Sequence, residues 1–131
     1  MATKAFFIQR LNDHVQYLKK IQATLDGNGD FQGTAHTECK LGRWLFGAGS
    51  DEAVLIGADA KALFDSLIEP HERFHLASRQ ALDSQQAGDM VSAEATLTEM
   101  HKLSTVLINK LLELDRLANL SPAPAPLAAV R

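Results

Sequence analysis

Pro70-His71-Glu72-Arg73-Phe74-His75 places two histidines four residues apart. On an α-helix, positions i and i+4 share a face one turn apart, so both imidazoles can meet one metal ion without bending the backbone. The surroundings are helical: Leu63, Leu67, His71, Phe74 and Leu82, with Phe64, Ile68 and His75 beside them, repeat at helical spacing between about residues 52 and 86. Pro70 has no N–H to donate, so the helix either kinks there or restarts with Pro70 in its first turn. The same letters spell His-Glu-x-x-His, the pattern of a zinc protease helix with the glutamate as general base. Two sites therefore compete: a closed metal site completed from elsewhere in the chain, and an open catalytic one.

Upstream, Phe7, Leu11, His14, Leu18, Ile21 and Leu25 recur at alternating steps of four and three, the stripe of a helix packed on other helices. His14 stands in that stripe where a leucine is expected, and a buried imidazole needs a partner. Asp26-Gly27-Asn28-Gly29-Asp30 ends this helix as a turn; its spacing fails the calcium-loop pattern. Thr34 or Thr37 is placed to cap the next helix, Cys39-Lys40-Leu41-Gly42-Arg43-Trp44-Leu45-Phe46-Gly47. Leu41, Trp44 and Leu45 form its buried side, and Trp44 is a core anchor whose indole N–H needs an acceptor. Cys39 falls near the N-terminus of this short helix, where free N–H groups favour a thiolate. Ser50 or Asp51 is placed to cap the helical segment after it.

Downstream, Gly88-Asp89 punctuates. Met90, Ala93, Leu97, Met100, Ser104, Leu107, Leu111 and Leu114 then mark a long helix to about residue 119 with a near-heptad stripe. Ser121-Pro122-Ala123-Pro124-Ala125-Pro126 cannot continue it. No strand-like alternation of useful length appears. The expected fold is all-α: an antiparallel four-helix bundle of three long helices and one short Cys-bearing helix over residues 4–119, with a disordered Pro/Ala tail at 120–131.

Composition narrows the function classes. A chain of 131 residues supports one core, and a net charge of -3 offers no basic field for nucleic acid. No apolar run is long enough to span a membrane, and the N-terminal run is too short for a signal peptide. The single cysteine excludes an intramolecular disulfide and suits a reducing compartment, so a cytoplasmic location is expected.

His14, Cys39, His71 and His75 thus come from three helices as inward donors, three imidazoles and one thiolate, a full tetrahedral set for zinc. Copper and nickel accept the same donors in vitro. One thiolate leaves the site with a net charge near +1, which Glu72 or Asp13 would offset from outside the ligand set. His36, three residues before Cys39, is the competitor for His14's place but reads as a solvated loop residue; His101 flanks the last stripe and reads as a surface residue. No stripe carries the inward Glu-x-x-His pairs of a di-iron bundle.

These residues resemble the chemoreceptor zinc-binding domain family. Cys39-Lys40-Leu41-Gly42-Arg43-Trp44 is similar to that family's Cys-x-(Leu/Phe)-Gly-x-Trp segment, with His14 upstream and His71-x-x-x-His75 downstream in the family's order. The resemblance covers roughly His14 to Leu114. It implies a four-helix bundle, often homodimeric, with a 3-His/1-Cys zinc site at His14, Cys39, His71 and His75. It also implies a non-enzymatic bacterial regulatory module whose zinc occupancy or cysteine oxidation tunes a chemoreceptor or a diguanylate cyclase, in chemotaxis or cyclic-di-GMP signalling. This chain carries no recognisable receptor or cyclase domain, so it is expected to act in trans as a free-standing member or to be an excised piece. The metallopeptidase alternative needs a third ligand among Glu94, Glu99 and His101. Ser78 and Ala81 stand where its extended motif requires Gly and His. The remaining alternative is a metal-free structural bundle.

Overall fold

The computed structural model describes residues 4–120, as six helices: α1 (Lys4–Leu25), α2 (Lys40–Leu45), α3 (Gly49–Ile56), α4 (Ala58–Asp65), α5 (Ile68–Gln86) and α6 (Met90–Leu120). The all-helical packed architecture expected from the stripes is the one observed. The helix boundaries have local causes. Gly27, at φ 82°, closes α1, and the Asn28 N–H returns to the Ala23 carbonyl at 2.8 Å. Gly88, at φ 79°, closes α5 the same way, with the Asp89 N–H on the Ser84 carbonyl at 2.9 Å. Both are left-handed caps that glycine adopts without a Cβ penalty. The Asp89 carboxylate then accepts the Ser92 N–H at 3.1 Å and caps α6.

The region from 49 to 86 differs in detail from the expectation of one long helix. Gly57, at φ 149°, breaks it between α3 and α4, and a second break precedes α5. Pro70 lies in the first turn of α5, so the helix restarts there rather than kinks. Helix α3 begins at Gly49 without a side-chain cap, so Ser50 and Asp51 fall inside its first turn instead of preceding it. The long helix α6 reaches Leu120, and the expected tail beyond it lies outside the described residues.

Hydrogen bonds between elements give the directions. His14 pairs with Ser104 and Gln22 with His101, so α1 and α6 are antiparallel. Lys110 reaches Ser66 and Arg73 reaches Glu99, so the α4–α5 column also runs against α6. Tyr17 meets His75 and the Leu25 carbonyl meets Gln85, so α1 and α5 run side by side in the same sense. Phe7, Ile21, Leu67, Phe74, Leu107 and Leu111 are fully buried between them. Each such side chain contributes about 1.5–3 kcal/mol by leaving water.

Helix α2 is anchored through Trp44, as expected of it. The indole stands edge-on to Phe7 and Phe64, with centroids at 5.7 and 5.3 Å, and its N–H donates to Glu52 Oε1 at 3.0 Å. This fixes the short helix against α1 and thereby sets where Cys39 sits. Among the described residues, no helix is long and apolar enough to cross a membrane.

Candidate metal centre

Cys39 is the N-cap of α2, with extended backbone (φ -71°, ψ 164°) and its Sγ accepting the Gly42 N–H at 3.2 Å. The cap expected from Thr34 or Thr37 is thus supplied by the cysteine itself. Gly42 has a steric reason to be glycine. A Cβ there would lie 1.8 Å from the His36 carbonyl oxygen, because the incoming loop crosses directly over this turn.

His71 and His75 occupy successive turns of α5 on the face turned toward Cys39. Their ring centroids are 4.7 Å apart, and His71 Nε2 lies 3.3 Å from Cys39 Sγ. One ligand atom from each of Cys39, His71 and His75 falls within 4.8 Å of the others, and all three residues are buried. Glu72, one position off this face, is exposed. It is not one of the residues whose donor atoms converge in the cluster.

His14 is buried at 3% exposure, its ring edge-on to Phe74 at 4.7 Å and its Nε2 2.9 Å from Ser104 Oγ. It stands outside the three-residue cluster but lines, with Cys39 and His75, a cavity of about 270 Å³. Asp13 lines the same cavity and pairs with Arg10 at 3.2 Å. His36 is less remote than a solvated loop residue. It is half-buried, with centroids 6.1 Å from His71 and 6.5 Å from His75. His101 is exposed and contacts Gln22 at 3.1 Å, the surface role expected of it.

Electrostatics sets the ligand states. Burial, reinforced by the other imidazoles, pushes His71 down to about 3. Burial also takes His14 to about 4, helped by His75. His75 falls to about 4 through burial and the nearby His36, against an opposing hydrogen bond to Thr34. All three are neutral at pH 7, the state in which imidazole binds a metal. The thiolate expected at the helix N-terminus is corrected: burial raises the Cys39 thiol above its ordinary value, outweighing the N–H groups of Gly42 and Leu41, and the Asp13 charge adds to the rise. The cap geometry is present, but without a counter-cation desolvation wins.

The stability of the metal-free protein should therefore depend on pH. The three folded-state values lie below the ordinary 6.5, so the unfolded chain takes up protons that the folded chain refuses. Stability is full above about pH 6.5 and is lost as pH falls toward 4, at up to about 1.4 kcal/mol per histidine per pH unit. Urea midpoints measured with chelator at pH 7, 6 and 5 should fall in that order; equal midpoints would contradict the assignment.

The donors present suit zinc: a sulfur and imidazole nitrogens converge in a buried position. His71 Nδ1 is buried without any hydrogen-bond partner, so protein contacts alone leave the cluster incompletely satisfied. The family model of the chemoreceptor zinc-binding domain matches residues 14–82. The chain belongs to the chemoreceptor zinc-binding domain family. The matched span opens on His14 and takes in Cys39, His71 and His75. No curated protein and no solved structure matches the chain. As a chemoreceptor zinc-binding domain, the protein is a zinc-binding signalling module, and the Cys39, His71 and His75 cluster is suited to that metal.

Proposed function

We propose that this domain is a non-enzymatic sensor. Its zinc ligands are His14, Cys39, His71 and His75, and zinc occupancy or Cys39 oxidation changes how its helices pack. A signalling partner of chemoreceptor or diguanylate cyclase type, in cis or trans, reads that change from a homodimer of the domain in the cytoplasm. The observation carrying the reading is the convergence of Cys39, His71 and His75 within 4.8 Å, inside the matched span. The exposed Glu72 weighs against a peptidase.

Bound there, zinc supplies free energy that favours the packing in which its ligands converge. His14 is the residue that carries the change across the bundle. Ligating through Nε2, the nitrogen now 2.9 Å from Ser104 Oγ, its imidazole gives up that bond. The freed serine hydroxyl can turn to the Met100 carbonyl one turn back, a bond that costs a helix slightly and tends to bend it. A tie between α1 and α6 is thereby exchanged for one joining α1 to α2 and α5. Since α6 is 31 residues long, a change in its hold near Ser104 is well placed to reach a partner. A peroxide or hypochlorite takes the Cys39 sulfur to a sulfenic acid, which removes the thiolate donor and favours the return of His14 to Ser104.

Zinc titration against a competing chelator tests the ligand set. His14→Ala should weaken zinc by about 100-fold or more, beyond the ~10–100-fold typical of residues that only support a ligand. His36→Ala should leave the affinity nearly unchanged. The reverse pattern would make His36 the fourth ligand, a reading favoured by its ring lying 6.1 Å from His71.

A further inference from the structure

We infer that Tyr17 is a positioning residue for the metal ligand His75. Acting through the Gly33-Thr34 backbone, it holds the imidazole in the tautomer that leaves Nε2 available to the metal. The inference rests on the reading of His75 as a ligand.

The geometry favours one proton assignment. His75 Nδ1 lies 3.1 Å from the Thr34 carbonyl oxygen. A carbonyl only accepts, so Nδ1 carries the proton and, in a neutral ring, Nε2 carries the lone pair. Nε2 takes no protein hydrogen bond among the described residues, which matches its availability. Outer partners of this kind orient a ligating histidine and raise its basicity.

A loop carbonyl serves this purpose only if its peptide is held, and Tyr17 holds it. The Tyr17 hydroxyl oxygen accepts the Thr34 N–H at 2.9 Å and directs its own proton toward the Thr34 carbonyl at 3.4 Å. It also lies 3.2 Å from His75 Nδ1, as a second acceptor. The phenol ring is wedged edge-on against Phe31 of the loop and Phe74 of α5, with centroids at 5.3 and 6.0 Å. Gly33 supplies the close approach. It sits at φ 85°, and a Cβ there would come 3.1 Å from the Tyr17 oxygen. The Thr34 side chain is a secondary part of the device: it also interacts with the Tyr17 hydroxyl, but Thr34 is exposed and its hydroxyl is shared with the Ala35 carbonyl. The loop that delivers Cys39 is thus tied to His75 directly at the Thr34 carbonyl and again through the Tyr17 hydroxyl on α1.

Tyr17→Phe removes that hydroxyl and keeps the ring contacts. In long-range ¹H–¹⁵N spectra of the metal-free protein, wild-type His75 should show a protonated Nδ1. Tyr17→Phe should shift the population toward a protonated Nε2. Zinc affinity of Tyr17→Phe should fall about 10–100-fold, and Thr34→Ala should lose distinctly less, because it keeps the Tyr17 hydroxyl and the Thr34 backbone. Gly33→Ala, which strains the same contact from the loop side, should move both readouts in the Tyr17→Phe direction. An unchanged tautomer and affinity in Tyr17→Phe would overturn the proposal, as would a loss in Thr34→Ala equal to that in Tyr17→Phe. A role in folding alone would lower the melting temperature and leave tautomer and affinity where they were. Because the tautomer is read without metal, its failure is separable from a failure of wild type to bind zinc.

Discussion

Cys39→Ser is expected to lose zinc by about 100-fold or more and to leave the metal-free protein nearly as stable as wild type; Cys39→Ala should lose both. The difference comes from two roles of one sulfur. As a metal donor it is the only soft ligand beside imidazoles, and a serine hydroxyl does not replace a thiolate at neutral pH. As the N-cap of α2 it accepts the Gly42 N–H at 3.2 Å, which a serine oxygen also does well. Alanine does neither, and loss of a cap costs about 1 kcal/mol. Chelator competition reads the first role, and urea unfolding in the presence of chelator reads the second. Wild-type zinc affinity in Cys39→Ser would remove the sulfur from the site.

Gly42→Ala should produce the largest loss of stability of any single methyl added to this chain's α2 region. The new Cβ would sit 1.8 Å from the His36 carbonyl oxygen and 2.9 Å from its carbon. The obstacle is backbone, so no side-chain rotation relieves it, and either the loop or the first turn of α2 has to move. Overpacking of this kind costs about 1–3 kcal/mol, and a backbone clash belongs at the upper end. That corresponds to a fall in melting temperature on the order of 10 °C. Because the displaced groups are the Gly42 N–H and the loop leading to Cys39, zinc affinity should fall with it. A variant that melts within about a degree of wild type would show that the loop does not cross α2 this closely.

The stripes made much of this legible beforehand. Phe7 to Leu25 and Met90 to Leu114 are spaced for helices, and α1 and α6 lie where those residues put them. The turns at Gly27 and Gly88-Asp89 were equally plain, since positive φ is what glycine is for. The interruption at Gly57 was not, because Ala53, Ala60, Leu63 and Phe64 keep helical spacing across it and apolar periodicity does not register a single residue's φ. At the site, the i,i+4 pair His71 and His75 and the Cys39 segment announced the cluster. What stayed hidden depends on distance in space. Desolvation of Cys39, which reverses the thiol's expected shift, is a property of the packed core and not of its place on α2. Ser104, as the present partner of His14, sits in a stripe as one small residue among leucines. Tyr17 carried a faint signal, three residues after His14 and the chain's one tyrosine, but its target is a main-chain carbonyl that no residue letter encodes.

The proximity of His36 to the cluster belongs with these. A histidine in a polar loop reads as solvated until the loop is seen to fold back over α2, bringing its ring near His71 and His75. That return is also what leaves no room for a Cβ at Gly42 and what carries the Thr34 carbonyl to His75. Phe31, Thr34 and His36 of this segment therefore stand against Tyr17 and the cluster, and the segment is more than a connector.

Zinc content and X-ray absorption at the zinc edge, on wild-type protein purified under reducing conditions, test the central claim most directly. The account predicts one zinc per chain, with one sulfur at ~2.3 Å and imidazole nitrogens filling the remaining positions. Protein that purifies without stoichiometric metal and takes up none on titration, or a zinc shell with no sulfur in it, would contradict it.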